Sequence, residues 1–303
     1  MGHHQHTHTG PRQHAHAGHQ HLHTDMDWAE MAAHLEAEAE LFSPLYAQAT
    51  AWLAARRPDP GLVVDAGSGP GVVTGVLADA FPRARIVAVD GSGPLLERAR
   101  ARAERGGLAD RFSTLEAGLP DGLDGLEYPA DLLWASRSLH HLGNQRAALA
   151  AFAARLAPGG TLAILEGGLP ARFLPRDIGI GRPGLQERLD AAHSEWFTAM
   201  RAALPDAVEE TEDWPGLLTA VGLRGATSRT FLLDIPAPVP EEARAFVVTM
   251  FGRLREAAAE LLDASDLATL DRLLDPDDKA GLHHRPDVFV LTAHTLHVAQ
   301  AQP

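Results

Sequence analysis

Apolar residues in this chain gather into short unbroken runs, separated by longer stretches in which they recur every three or four positions, and the alternation starts only near residue 26. The runs at 62–66, 84–89, 111–116, 131–135 and 161–166 predict strands, and the stretches at 71–81, 93–105 and 144–156 predict helices. Unbroken apolarity is what a strand covered on both faces requires, so the alternation predicts an α/β fold around a doubly wound, mostly parallel sheet. Ligands of such sheets collect at the carboxyl ends of the strands. Beyond Gly168 the pattern changes. A Gly-, Pro- and Arg-rich segment from Ala171 to Gly184 leads to helices at Leu185 to about Leu204 and Trp214 to Val221, and then to a strand from Ala226 to Ile235. Helices near 241–263 and 265–274 and a last strand from Val288 to Val298 complete the chain.

Ahead of the sheet, Met26 to Arg57 reads as two Ala-, Glu- and Leu-rich helices broken near Ser43 and Pro44, with Asp25 or Asp27 available to cap the first. Met1 to Thr24 has almost no apolar side chains but nine histidines: His3, His4, His6, His8, His14, His16, His19, His21 and His23. Such a segment cannot bury a core and reads as a disordered tail. Its irregularly spaced imidazoles suit Ni, Zn or Cu, either as incidental affinity or for metal response or storage. The organisation is therefore a tail at 1–25, a helical pair at 26–60 and one domain at 61–303, with helical insertions near 171–222 and 241–275.

Chemistry concentrates where the first strand ends. The run LVVDAGSGPG, Leu62 to Gly71, breaks from Asp65 into Gly67, Ser68, Gly69 and Gly71, and glycines there let a backbone approach a ligand that any Cβ would push away. The second strand ends on Asp90, followed by Gly91, and a carboxylate at that tip accepts hydrogen bonds from ribose hydroxyls. Further on come ADLLWASRSLHHL, Ala130 to Leu142, and LAPGGTLAILEGG, Leu156 to Gly168. Together these runs resemble class I S-adenosylmethionine-dependent methyltransferases from about Leu62 to Gly168.

The resemblance implies a Rossmann-like, seven-stranded sheet ending in an antiparallel hairpin, with the two N-terminal helices as a lid. It implies S-adenosylmethionine as cofactor, held by Asp65, Gly67, Ser68, Gly69, Gly71, Asp90, Gly91, Gly118, Leu119 and Ser136. His140 and His141, at the tip of the fourth strand, are the candidate bases, because imidazole titrates near neutrality. His193, His283 and His284 are rivals for that role. Arg137, Glu166, Arg172, Arg176, Arg182 and His193 are candidate substrate contacts; arginine suits a carboxylate or phosphate. Arg102, on the second core helix, reads as an exposed arginine outside the cleft. The third strand offers no acid at its tip, where Ala117 to Leu119 stand, and Glu116 is as consistent with facing solvent.

Composition narrows the picture. A net charge of −14 disfavours nucleic acid and favours a small-molecule substrate. With no cysteine there is neither a thiolate metal site nor a thiol nucleophile. No apolar run approaches the roughly 20 residues of a membrane span, so a cytoplasmic protein is expected. The oligomeric state is open, a homodimer included. Two rival readings remain: a nicotinamide-dependent oxidoreductase, which the absence of G-x-G-x-x-G argues against, and a non-catalytic metal-sequestering or regulatory protein on the same scaffold.

Overall fold

The computed structural model describes residues 28–57 and 59–303, with side chains from Met31 onward. The histidine tail, Asp25 and Asp27 lie outside the described residues. Two helices, α1 (Trp28–Leu41) and α2 (Ser43–Ala54), precede strand β1 (Leu62–Ala66). Next come α3 (Val72–Ala80), β2 (Arg85–Asp90), α4 (Gly93–Arg105), β3 (Phe112–Glu116), β4 (Ala130–Ser136) and α5 (Gln145–Ala154). The chain continues through β5 (Leu156–Arg172), α6 (Leu185–Ala202), α7 (Trp214–Ala220), β6 (Arg224–Ile235), α8 (Glu241–Ala257), α9 (Ala264–Leu274) and β7 (Val290–Gln300).

The strands form one seven-stranded sheet in the order β3-β2-β1-β4-β5-β7-β6. Pairing is parallel from β3 through β5, and β7 runs antiparallel to both of its neighbours. Strand β1 is buried at every position because both faces are covered. Alternation along it sends Val63 into a core shared with α2, α3, α8 and α9, and Leu62 and Val64 into a second core against α5 and α7. Chain order reverses between β1 and β4, so the loops after these strands part and leave a crevice at their carboxyl ends. Among the described residues no helix is long and apolar enough to cross a membrane.

Strand β5 departs from expectation. Instead of ending near residue 166 it runs on to Arg172, pairing Gly168 with His294 and Arg172 with Leu291 after a shift in register. Gly168 has φ of +125° and a Cβ there would lie 1.9 Å from the Ala293 carbonyl, so the glycines that read as a strand end are a bulge inside a longer strand. Arg172 therefore belongs to the sheet and not to the following loop.

At the opposite end of the sheet, the carboxylate of Asp131 accepts hydrogen bonds from the amides of Gly61 (2.8 Å) and Leu62 (2.9 Å), fastening β1 to β4. Replacing Asp131 with Ala should lower unfolding stability by about 1–2 kcal/mol, the value of charge-assisted hydrogen bonds discounted for partial exposure. Nucleotide affinity should be unchanged, since the contact lies at the far edge; calorimetric unfolding and ligand titration of the variant check both.

Candidate active site

The crevice is built from four loop ends. After β1 the chain turns through Gly67, Gly69 and Gly71, with φ of +78°, +53° and +81°. The three glycines serve different needs. A Cβ on Gly67 would meet the Ser138 Cβ at 2.8 Å, and one on Gly71 would meet the Ala99 Cβ at 2.7 Å, so these two permit close packing against the β4 loop and α4. Gly69 borders open space, with nothing within 4 Å of a Cβ placed there. Across the gap, Gly91 and Gly118 likewise present backbone without side chain, the nearest atom to a Cβ on Gly91 being the Gly118 Cα at 3.8 Å. Ser68 Oγ is buried among these groups with no hydrogen-bond partner among the described residues.

One carboxylate closes this wall. Asp90 accepts from the Gly69 amide through Oδ2 and from the Ser92 amide through Oδ1, both at 2.9 Å. Burial pushes its pKa up, and the amides of Ser92, Gly69 and Gly91 pull against that shift. Each carboxylate oxygen has a second lone pair, so acceptor capacity remains for a ligand. Asp65 serves the loop from beneath: buried, it accepts from Thr74 Oγ1 of α3 at 2.6 Å. Its pKa is raised to about 7, first by burial and against the Thr74 hydrogen bond, with Asp90 adding to the rise. A glycine-lined gap, an orphaned hydroxyl and a carboxylate with spare lone pairs fit the nucleoside and amino-acid parts of S-adenosylmethionine.

On the β4 side, Glu166 is buried and accepts from the Leu139 amide (2.9 Å) through one oxygen, while the other meets His140 Nδ1 at 3.0 Å. That contact places the imidazole proton on Nδ1 and leaves Nε2 as the basic nitrogen. Arg201 of α6 holds the turn by donating to the carbonyls of His140 (2.7 Å) and Leu142 (2.8 Å). His141 is exposed, its ring 4.1 Å from that of His140 and tilted by 47°. His193 joins the same row through Phe197, whose ring is 5.8 Å from His140 and 6.5 Å from His193, but it has no carboxylate partner among the described residues. His284 lies exposed on the turn before β7 against the Pro276 carbonyl at 2.6 Å, away from this row. Among the described residues no cluster of three or more His, Asp or Glu side chains could hold a metal ion.

The arginines divide sharply. Arg172 pairs with Glu187 (2.8 Å) and Asp190 (3.1 Å), and Arg182 with Asp263 and Asp266, so their charges are met inside the protein. Arg176 is exposed. Arg102 is not idle: with Arg98 it binds Glu36 and Glu40 of α1 and fastens that helix to α4. Arg137 has φ of +52°, sparse for a residue with a side chain, and its guanidinium pairs with Glu38 of α1. Glu116 is exposed, its carboxylate beside the first turn of α4 at 3.0 Å from where a Gly93 Cβ would stand, a position that suits the positive end of that helix. Nothing in the sequence pointed to His34, Glu38, Tyr46 and His294, which surround Arg137, or to Arg253, which acts on His34 and Glu38; their spacing along the chain carries no motif.

A groove of about 320 Å³ between α2, α3 and α4, lined by Glu40, Ser43, Gly71, Thr74, Asp79 and Arg102 among others, contains neither Asp90 nor any group of the β4 tip. It lies outside the crevice.

Comparison with known proteins agrees with this geometry. Residues 64–162 match the family model described as "Methyltransferase domain". The chain is similar to the trans-aconitate 2-methyltransferase of Streptomyces coelicolor, 34% identical over 174 residues that cover 54% of this chain and 51% of that protein. It is 29% identical to the trans-aconitate 2-methyltransferase of Methylobacterium radiotolerans over 73% of this chain and 74% of that one. The match thus spans about half the length of the Streptomyces relative. Among solved structures, an O-methyltransferase family protein from Burkholderia thailandensis shares the fold with a TM-score of 0.51 at 15% identity, covering 89% of this chain and 59% of that one.

The raised pKa of Asp65 has a measurable sign. In the unfolded chain this carboxyl ionises near 3.8, whereas the folded protein keeps its proton to about 7. Between those values the folded state binds more protons, so Asp65 makes stability fall as pH rises through the window and level off above about 7. Asp65→Asn removes that contribution: relative to wild type, the variant should gain a few kcal/mol between about pH 4 and pH 7, at about 1.4 kcal/mol per unit. Denaturant unfolding of both proteins across the window tests it, and parallel stability curves would refute a protonated Asp65.

Proposed function

We propose that this chain, whose residues 64–162 match a methyltransferase domain, is a class I S-adenosylmethionine-dependent methyltransferase that transfers a methyl group from S-adenosylmethionine to a small-molecule acceptor. The observation that carries the reading is the glycine-lined gap closed by Asp90 at the point where strand order reverses. Gly67, Ser68, Gly69 and Gly71 hold the amino-acid end, Asp90 and Gly91 the ribose, and Gly118 and Leu119 the base, with Ser136 completing the wall and Asp65 anchoring the loop. When bound, the cofactor supplies an electrophilic methyl group on a sulfonium.

His140 then takes the acceptor's proton at Nε2, with Nδ1 donated to buried Glu166, wherever the acceptor is a hydroxyl or an amine. A carboxylate acceptor needs no such base. The relatives are named for trans-aconitate, a small polycarboxylic acid, and an acidic acceptor is the reading we adopt here, with Arg137 on its side of the crevice. The protein works in the cytoplasm, and the histidine tail binds Ni, Zn or Cu independently of methyl transfer.

Two experiments test these assignments. Titration calorimetry should show S-adenosylmethionine and its demethylated product binding where NAD does not, and Asp90→Ala should cost about 1.5–3 kcal/mol of that affinity. Undiminished affinity in the variant would remove Asp90 from the ribose. Separately, deleting residues 1–24 should abolish multi-site Ni and Zn binding and leave cofactor affinity intact; loss of cofactor affinity would instead make the tail part of the active site.

A further inference from the structure

Helical register divides the acids of α1. Glu36 and Glu40, four residues apart, face α4 and pair with Arg98 and Arg102, while Glu38, two residues from each, points to the opposite face and is 8% exposed. A carboxylate so buried requires a cation, and it has Arg137. Burial alone would push the Glu38 pKa up, but Arg137, with help from His34 and Arg253, holds it below the ordinary value.

Around this pair stand hydrogen-bonding groups from four other positions, and three of these, His34, His294 and Arg253, have no strong hydrogen-bond partner among the described residues. His34 Nε2 is 3.8 Å from Glu38, beyond hydrogen-bond reach, and both it and His294 Nδ1 of β7 are buried with no hydrogen-bond partner among the described residues. Arg253 of α8 acts electrostatically on both His34 and Glu38, yet the hydrogen bond its guanidinium makes among the described residues goes to the Met31 thioether at 3.1 Å, a weak acceptor. Tyr46 of α2 is buried beside Ser136 and hydrogen-bonded to Arg137; burial raises its pKa against that bond and keeps it a neutral phenol that helps to place the guanidinium. Burial lowers the pKa of both histidines, that of His294 to about 4, which leaves them neutral near pH 7 with one N–H each. Aromatic rings wall the chamber: Phe42 stacks on His294 at 5.5 Å and meets Phe246 at 5.6 Å, and Phe246 stacks on His34 at 6.3 Å. Buried donors are ordinarily paired, and poorly satisfied ones on α1, α8 and β7, gathered about Arg137, are complementary to a ligand rich in acceptor oxygens.

We propose that this chamber is the seat of an acceptor carboxylate, and that Glu38 occupies that seat in the free protein: an acidic acceptor displaces Glu38 from Arg137 and is held between Arg137 and Arg253, with His34 and His294 as further donors. The inference rests on the methyl-transfer reading and adds to it the group recognised and the residues that recognise it. It also gives the lid a function. Entry of the acceptor breaks the inner tie of α1 while the outer ties to α4 remain, so the helix shifts with ligand rather than detaching.

The test uses the full chain saturated with S-adenosylhomocysteine, whose own binding is measured first, and titrates trans-aconitate, succinate and the neutral trimethyl ester of trans-aconitate. At least one free acid should bind, and the ester should not. Arg253→Gln should weaken the acid by about tenfold or more, the loss expected for hydrogen bonds to a charged group, and Arg253→Lys should recover part of it. Glu38→Gln, which removes the competing charge, should tighten binding. Arg105→Gln, an exposed arginine at the end of α4, should change nothing. Failure of S-adenosylhomocysteine to bind would overturn the methyl-transfer reading itself. If it binds but neither acid does, or if the acids bind Arg253→Gln and Glu38→Gln as they bind wild type, the chamber is not a carboxylate seat. Should Arg253→Gln fail to fold, Arg253→Lys and Glu38→Gln decide the question alone.

Discussion

The carboxylate of Asp90 binds the amides of Gly69 and Ser92 with its two oxygens, and the geometry of the crevice follows from that bridge. It ties the loop leaving β1 to the loop leaving β2, and so fixes where α3 and α4 begin. The helices then approach until Gly71 touches Ala99, a contact that a side chain at position 71 would prevent. Thr74, one turn into α3, caps the arrangement by its bond to buried Asp65. A gap lined by backbone is the outcome, and its polarity comes from a residue that also maintains its shape. Structural and binding roles of Asp90 are therefore inseparable.

The second half of the crevice is organised by burial of charge. Glu166, sealed beneath the β4 tip, orients His140, and Glu38, sealed beneath α1, orients Arg137. Both acids meet the segment that leaves β4, where an imidazole and a guanidinium stand three residues apart. Arg137 accepts a left-handed backbone to do so. Strain of this kind persists where neighbouring contacts overdetermine it, and the Leu165 carbonyl that accepts from its amide is one such contact.

Much of the first half was legible in the chain because its chemistry is local. Glycine is needed at fixed steps after a buried strand, and an acid is needed at the next strand's tip; neither demand depends on distant residues. The same locality made the two N-terminal helices and their break at Ser43 and Pro44 readable. What escaped was set by tertiary partners. Glu38 and Arg137 are 99 positions apart, and nothing near either announces the other. Arg172 and Arg182 looked available because loop arginines in a Gly- and Pro-rich stretch usually face solvent, but α6 and α9 supply the acids that neutralise them. Gly167 and Gly168 read as punctuation, whereas antiparallel pairing with β7 turned them into a bulge and carried β5 six residues past Glu166.

The most direct test of the account is a crystal structure of the full chain with S-adenosylhomocysteine. The ribose hydroxyls should lie on Asp90, the nucleoside should run along the backbone of Gly69, Gly91 and Gly118, and the sulfur should face the β4 tip that carries Arg137 and His140. A nucleoside seated instead in the groove between α2, α3 and α4, with Asp90 still bound only to the amides of Gly69 and Ser92, would contradict it.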